Sequence, residues 1–265
     1  MELIGYLASV IIGISLGLIG GGGSILTVPL LVYLFGFQPV QATALSLFIV
    51  GITSVVGAFN YFKQNLVDVP TTILFGIPSI IAVYLTRAWI IPSIPNQIFN
   101  VGDFIMTKSL LLMLIFAVLM IMASYSMIKP SKTTKTNNSK EISPILKKLI
   151  PFLEGSVVGV LTGLVGAGGG FLIIPALVII SKLEMKVAIG TSLVIIALKS
   201  LIGFLGENLS NTPWQFLITI SSFSILGIVI GSYLSKKIDG NKLKPAFGYF
   251  VLIMGVFIIL KELWK

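Results

Sequence analysis

The chain has no cysteine and no histidine, and only 10% of its residues are charged. The first two absences exclude thiol nucleophiles, disulfides, iron–sulfur clusters and most zinc or haem sites, so no cofactor and no metal are expected. The third excludes a water-soluble domain, because 265 residues need far more charge to cover a wetted surface. What fills the sequence instead is apolar: 56% hydrophobic residues, with a mean hydropathy of +1.06.

No charged side chain occurs between Glu2 and Lys63, a stretch too long for a single membrane span of ~20 residues. Further uncharged runs follow at Val69–Thr86, Ser109–Ile128, Gly155–Ser181, Asn208–Ser235 and Pro245–Leu260. In hydrocarbon every backbone amide must be satisfied internally, so these runs read as helices. A β-barrel would show short alternating segments instead. The fold class expected is an all-α integral membrane protein. The start, Met1-Glu2-Leu3, lacks a basic n-region and reads as a retained helix, not a signal peptide. The net charge of +9 sits in short loops. It therefore predicts contacts with membrane lipid and marks topology, and no nucleic-acid partner is expected.

The most hydrophilic segment, Lys129–Lys148, holds six lysines, one glutamate and a Thr/Asn/Ser-rich middle. It reads as a linker with no apolar face to bury. It divides the chain into an N-terminal membrane repeat at 1–128, a polar linker at 129–146 and a C-terminal membrane repeat at 147–265. The halves are related: 13–57 aligns without gaps on 159–203, with 16 of 45 positions identical. The matches include Gly17/Gly163, Gly20/Gly166, Gly22/Gly168, Gly23/Gly169, Pro29/Pro175, Ala42/Ala188, Ser46/Ser192 and Ser54/Ser200. A later match, Tyr84–Arg87 with Tyr233–Lys236, needs a three-residue shift.

Each half then contains an apolar segment, a glycine cluster, a short apolar segment and three longer spans. The long spans are expected at 39–62, 68–87 and 107–128, and at 185–206, 213–235 and 243–263. The segments around each glycine cluster form either one broken crossing or a hairpin that returns to its own side. The positive-inside rule separates these. With the linker in the cytoplasm, hairpins place 13 basic residues inside and four outside, whereas four spans per half give nine against eight. The expectation is two inverted repeats, each a re-entrant helical hairpin with a Gly-rich break plus three transmembrane helices. Trp89, Trp214 and Trp264 then all fall at the outer interface, where amphipathic rings belong. The Pro- and Asn-containing segment Trp89–Asp103 reads as an irregular outer connection that could act as a lid.

The clusters are Gly20-Gly21-Gly22-Gly23-Ser24 and Gly166-Ala-Gly168-Gly169-Gly170. Each starts a short helix, so free amides and the positive dipole end face the break, the chemistry of an anion site in a membrane. Close helix packing by small residues is the competing reading. A dinucleotide site is excluded, since neither a preceding strand nor a downstream acidic residue is present. The second repeated element places Thr43 and Ser46 in half one and Thr191 and Ser192 in half two. These hydroxyls either donate to an anion or bond back to their own helix. Lys199 lies inside the apolar run Leu193–Leu205, where an ammonium needs a cavity, an anion or a route to snorkel. Glu154 is the best candidate for a buried carboxylate, and Asn60, Glu207 and Asn208 are weaker candidates. The predicted substrate-binding set is Gly20–Gly23, Ser24, Thr43, Ser46, Gly166, Gly168, Gly169, Gly170, Thr191, Ser192 and Lys199, around a small anionic substrate. The alternatives are an intramembrane enzyme, which would cluster ionisable groups at one depth, and a non-transporting receptor or scaffold, which would not need two equivalent breaks.

The paired elements Gly17–Pro29 and Gly163–Pro175, each followed by an Ala-x-x-x-Ser-Leu element, resemble the TauE/SafE sulfite-exporter family. The resemblance covers essentially the whole chain. It implies a bacterial inner-membrane permease exporting small sulfur-containing anions such as sulfite, sulfoacetate or related organosulfonates. Half one departs from the pattern, with Ala44 and Leu45 where half two has Gly190 and Thr191. Thiosulfate-handling relatives use cysteines, and with none here a thiol relay is excluded.

Overall fold

The computed structural model describes residues 2–101, 104–128, 144–165, 170–179, 181–207 and 212–264. Linker residues 129–143 lie outside the described residues, as do the predicted site positions Gly166, Gly168 and Gly169 and the candidate Asn208. The helices are α1 (Glu2–Ile19), α2 (Gly22–Pro29), α3 (Pro39–Phe62), α4 (Val69–Leu85), α5 (Ile91–Ser93), α6 (Lys108–Ile128), α7 (Pro144–Val165), α8 (Gly170–Ile179), α9 (Met185–Leu205), α10 (Trp214–Lys237) and α11 (Gly240–Leu263). A π-helical turn, Leu30–Leu34, extends α2, and another, Thr86–Ile90, joins α4 to α5.

Six helical stretches among the described residues are long and apolar enough to cross a membrane: Pro39–Phe62, Val69–Ser93, Lys108–Ile128, Met185–Leu205, Trp214–Lys237 and Pro245–Glu262. Local chemistry sets their starts. Pro39 occupies the first turn of α3, where its missing N–H costs nothing. The Asp68 carboxylate caps α4 by accepting from the Thr71 N–H at 2.8 Å, and Pro70 follows in the first turn. The expected span at 68–87 runs on to Ser93, because the π-helical turn carries the helix past Arg87 instead of ending at its charge. The outer connection holds a short antiparallel hairpin, β1 (Gln97–Val101) with β2 (Phe104–Thr107), where an irregular loop was expected. Ile98, Phe99, Val101, Phe104 and Ile105 are β-formers by shape, which the flanking prolines and asparagines obscure.

The first helix pair, α1 with α2, begins and ends on one face. Gly5, near the start of α1, lies against the Phe35 ring after α2, while Gly23 packs on Ile12 and Leu16 further in. Each hairpin then docks on the second long span of the other half. Gly13 and Gly17 of α1 meet Ser224, Ile228 and Ser232 of α10 in ascending order. Gly155, Gly159 and Gly163 of α7 meet Phe75 and Ser79 of α4 and Thr86 of the π-helical turn that follows it, in the same sense. Both seams are parallel, with backbone laid on backbone. In lipid there is no hydrophobic gain from helix association, so this close approach supplies the attraction.

Equivalent helices of the two halves meet in opposite directions. In α3 and α9, Gly51 faces Leu201 while Gly57 faces Leu193. In α6 and α11, Gly248 faces Ile128 while Gly255 faces Ala117 and Met120. The end of α6 thus shares a face with the end of α3 and the starts of α9 and α11. We call this the linker-proximal face and its opposite the linker-distal face. Aromatic packing gathers on the distal side, where Trp214 meets Phe48 and Phe204, and Phe216 meets Phe35 and Phe37.

Candidate functional site

The two breaks meet. Gly20 has φ +74°, a left-handed conformation that only glycine adopts without strain, and it turns the chain from α1 into α2. A Cβ at Gly20 would sit 2.8 Å from Ser192 Oγ, and one at Gly170 would collide with Gly21 Cα and lie 3.2 Å from the Gly20 carbonyl. A side chain at Gly170 would therefore force the breaks apart, and one at Gly20 would push against α9. Gly170 opens α8 and also packs on Ile196 of α9. One turn along, Lys199 is fully buried, and its Nζ donates to Thr162 Oγ1 of α7 at 2.9 Å. Among the described residues no carboxylate pairs with it. An ammonium has three donors, so one hydroxyl leaves this charge largely uncompensated, a situation that costs several kcal/mol at membrane depth.

The long helices also bury hydroxyls. Ser54 and Ser200, an equivalent pair, are both fully buried and neither Oγ has a partner among the described residues. The buried Ser79, Ser221, Ser224 and Ser232 hydroxyls are also unpartnered. The Ala-x-x-x-Ser-Leu elements are quieter. Thr43, Ser46 and Ser192 donate to carbonyls of their own helices, to Val40, Thr43 and Ile189. Thr191 accepts from the Asp68 N–H at 2.9 Å, tying the α3–α4 loop to α9. The Glu154 carboxylate is half-buried and both its oxygens lack partners.

The site residues thus fall into two layers. Gly20, Gly21, Gly170, Ser192 and Lys199 share the centre, while Thr43 and Thr191 lie nearer opposite faces. Of Gly22 and Ser24 the backbone opens α2, and Gly23 packs against α1 rather than across the breaks.

Sequence reasoning assigned Arg87 only to loop charge. It is 1% exposed, and its Nη1 donates to Thr43 Oγ1 at 3.1 Å and to Glu207 Oε1 at 2.9 Å. This is the only ion pair among the described residues. The available signal was its position directly after the uncharged run Val69–Thr86, where a span not ended by its charge would bury it. At the opposite face the Tyr61 hydroxyl bonds the Gly17 carbonyl at 2.8 Å and Ser235 Oγ at 2.5 Å.

Six stretches long and apolar enough to cross a membrane mark a multi-pass membrane protein, and its family and relatives make it a transporter, not an enzyme. The chain belongs to the sulfite exporter TauE/SafE family, whose model matches residues 5–258. It is similar to a probable membrane transporter protein of Methanocaldococcus jannaschii, with 29% identity over 94% of this chain and 92% of that protein. A probable membrane transporter protein of Xylella fastidiosa is 27% identical over 94% of this chain and 91% of its own length. The probable membrane transporter protein YunE of Bacillus subtilis is 26% identical over 98% of this chain and 99% of its own. No solved structure matches the chain.

Proposed function

We propose that the chain exports small sulfur-containing anions, such as sulfite, sulfoacetate or related organosulfonates, through a site between the two glycine breaks. The observation that carries this reading is Lys199, a fully buried ammonium with one hydroxyl partner beside the point where Gly170 meets Gly20 and Gly21. A buried cation without a counter-ion is completed by an anion from solution. The positive dipole ends of α2 and α8 point to the same region, and the Ser54 and Ser200 hydroxyls, unpartnered among the described residues, add donors for its oxygens. The family's printed description supplies the sulfur chemistry.

The architecture we assign is two inverted repeats, 1–128 and 147–265, joined by a cytoplasmic linker at 129–146 in a bacterial plasma membrane. The antiparallel pairing of α3 with α9 and of α6 with α11 supports inversion, and the loop lysines support the orientation. An interior-negative potential drives anions outward by ~2.3 kcal/mol per charge per 100 mV, so uniport suffices for export.

The test is efflux from proteoliposomes loaded with sulfite, sulfoacetate or a panel of organosulfonates. The parent is expected to release at least one of them. Lys199→Ala is expected to slow release by ~10–100-fold, the loss of one charged hydrogen bond. Absence of flux for every sulfur anion sinks the substrate reading, and full flux in Lys199→Ala sinks the site. Because the chain has no native cysteine, Asn137→Cys and Gly240→Cys can be labelled cleanly. Both are expected to react from the cytoplasmic side only.

A further inference from the structure

We propose that the free edge of the Arg87 guanidinium is a second anion-binding site, a station for a small oxyanion on the linker-distal face. Glu207, which holds Nη1 alone, is the neighbouring charge that opposes the anion. The inference rests on the anion reading above.

Arg87 is buried, yet two of its three nitrogens, Nε and Nη2, have no hydrogen-bond partner among the described residues. Those two N–H groups lie along one edge of the guanidinium and form the fork that grips two oxygens of a planar or pyramidal oxyanion. Leaving buried donors unmet costs about 1–3 kcal/mol each, so the arrangement favours an incoming acceptor. Glu207 does not fill the fork. It holds Nη1 alone, where an unconstrained carboxylate would take two bonds, and its side chain is 16% exposed.

The local charge also favours an anion. Lys108 is buried, its Nζ donates to the Ile91 carbonyl, and it lies within coulombic reach of Arg87 and Glu207. Two cations therefore face one carboxylate. Thr43 Oγ1 accepts from Arg87 and spends its own proton on Val40, so it does not compete for the anion's oxygens. Glu207 follows α9, which also carries Lys199. Eight residues separate the two, or ~12 Å at the helical rise, so the central site and the station are successive stops along one element.

The test titrates sulfoacetate, with chloride as control, into the full chain in lipid nanodiscs, using Lys199→Ala to silence the central site. That variant is expected to retain one oxyanion site that chloride does not fill. Adding Glu207→Gln, which removes the competing charge but keeps an acceptor, is expected to tighten it about tenfold. Adding Arg87→Gln together with Glu207→Gln is expected to abolish it while keeping the pair neutral. A merely structural ion pair predicts no gain from Glu207→Gln, and unchanged affinity in both variants overturns the station. If the combined variant is not monodisperse, Arg87→Lys in the Lys199→Ala background replaces it. A point charge without the fork is expected to bind about tenfold more weakly, and equal affinity overturns the proposal. Lys199-dependent flux in the parent with no residual binding in Lys199→Ala leaves the transport reading intact and removes the station. Arg87-dependent binding with no flux in the parent does the reverse.

Discussion

The two ends of the hairpin seams share a frame and differ in chemistry. At the linker-proximal end, Tyr61 reaches across to the Gly17 carbonyl and Ser235. At the linker-distal end the positions equivalent to Tyr61, Gly17 and Ser235 are Glu207, Gly163 and Thr86, and Arg87 follows as the counterpart of Lys236. One tip is held by neutral hydrogen bonds and the other lies beside a buried ion pair. The duplication thus preserved the glycines that set the geometry and let the locking groups diverge. A neutral bond contributes about 0.5–1.5 kcal/mol, whereas breaking a buried pair by removing one partner costs about 3–5 kcal/mol. The ends are therefore unequal in what opening them costs, and only the charged end carries a buried guanidinium with donors to offer an anion.

The sharpest way to break this comparison is Glu207→Ala, which strands the Arg87 charge. It is predicted to lower stability by about 3–5 kcal/mol, read by thermal melting in detergent. Arg87→Met with Glu207→Met should recover most of that loss, and failure to recover would mean that the pair does more than neutralise itself. Next in size is the frame. Gly17→Leu drives a side chain into the α10 backbone, and Gly163→Leu drives one into Thr86, each at ~1–3 kcal/mol or more. Equal losses support the shared frame, and a neutral result at either site breaks it. Tyr61→Phe removes the neutral lock and is predicted to cost ~1–2 kcal/mol, with no change in anion affinity at Arg87. The smallest effect is expected from Ser54→Ala and Ser200→Ala. These hydroxyls have no partner to lose, so melting should hold within about 0.5 kcal/mol while efflux falls. A drop in melting with unchanged efflux would assign them to packing alone.

Much of the fold was legible because hydrocarbon imposes simple rules. Span positions came within a few residues, since every long uncharged run must become a helix, while the loop lysines only favoured hairpins over crossings. Which face of each helix turns inward was not legible. Ile73, Ile77 and Ile81 face outward on α4 while Phe75 and Val83 are buried, and all are apolar. A lipid-facing stripe needs no polar residues, so the periodicity that marks a soluble helix vanishes. The centre was partly legible: a repeated glycine break and a lone lysine in an apolar run are rare enough to find by eye. Arg87 was hidden because it ends an apolar run, which is also where an ordinary interfacial charge sits. Only the π-helical turn at Thr86–Ile90, continuing the helix past it, reveals the difference.

The crossed seams also constrain how the protein is made. Hairpin one leaves the ribosome first, but its partner α10 begins only at Trp214, about 200 residues later. At ~5–20 residues per second, α1 waits ~10–40 s with Gly13 and Gly17 facing lipid and nothing to lean on. Hairpin two finds α4 already in place. The nascent chain is thus lopsided in time as the finished one is in charge. A ribosome stalled before α10 would leave an orphaned first half with an open glycine groove, a natural mark for membrane quality control.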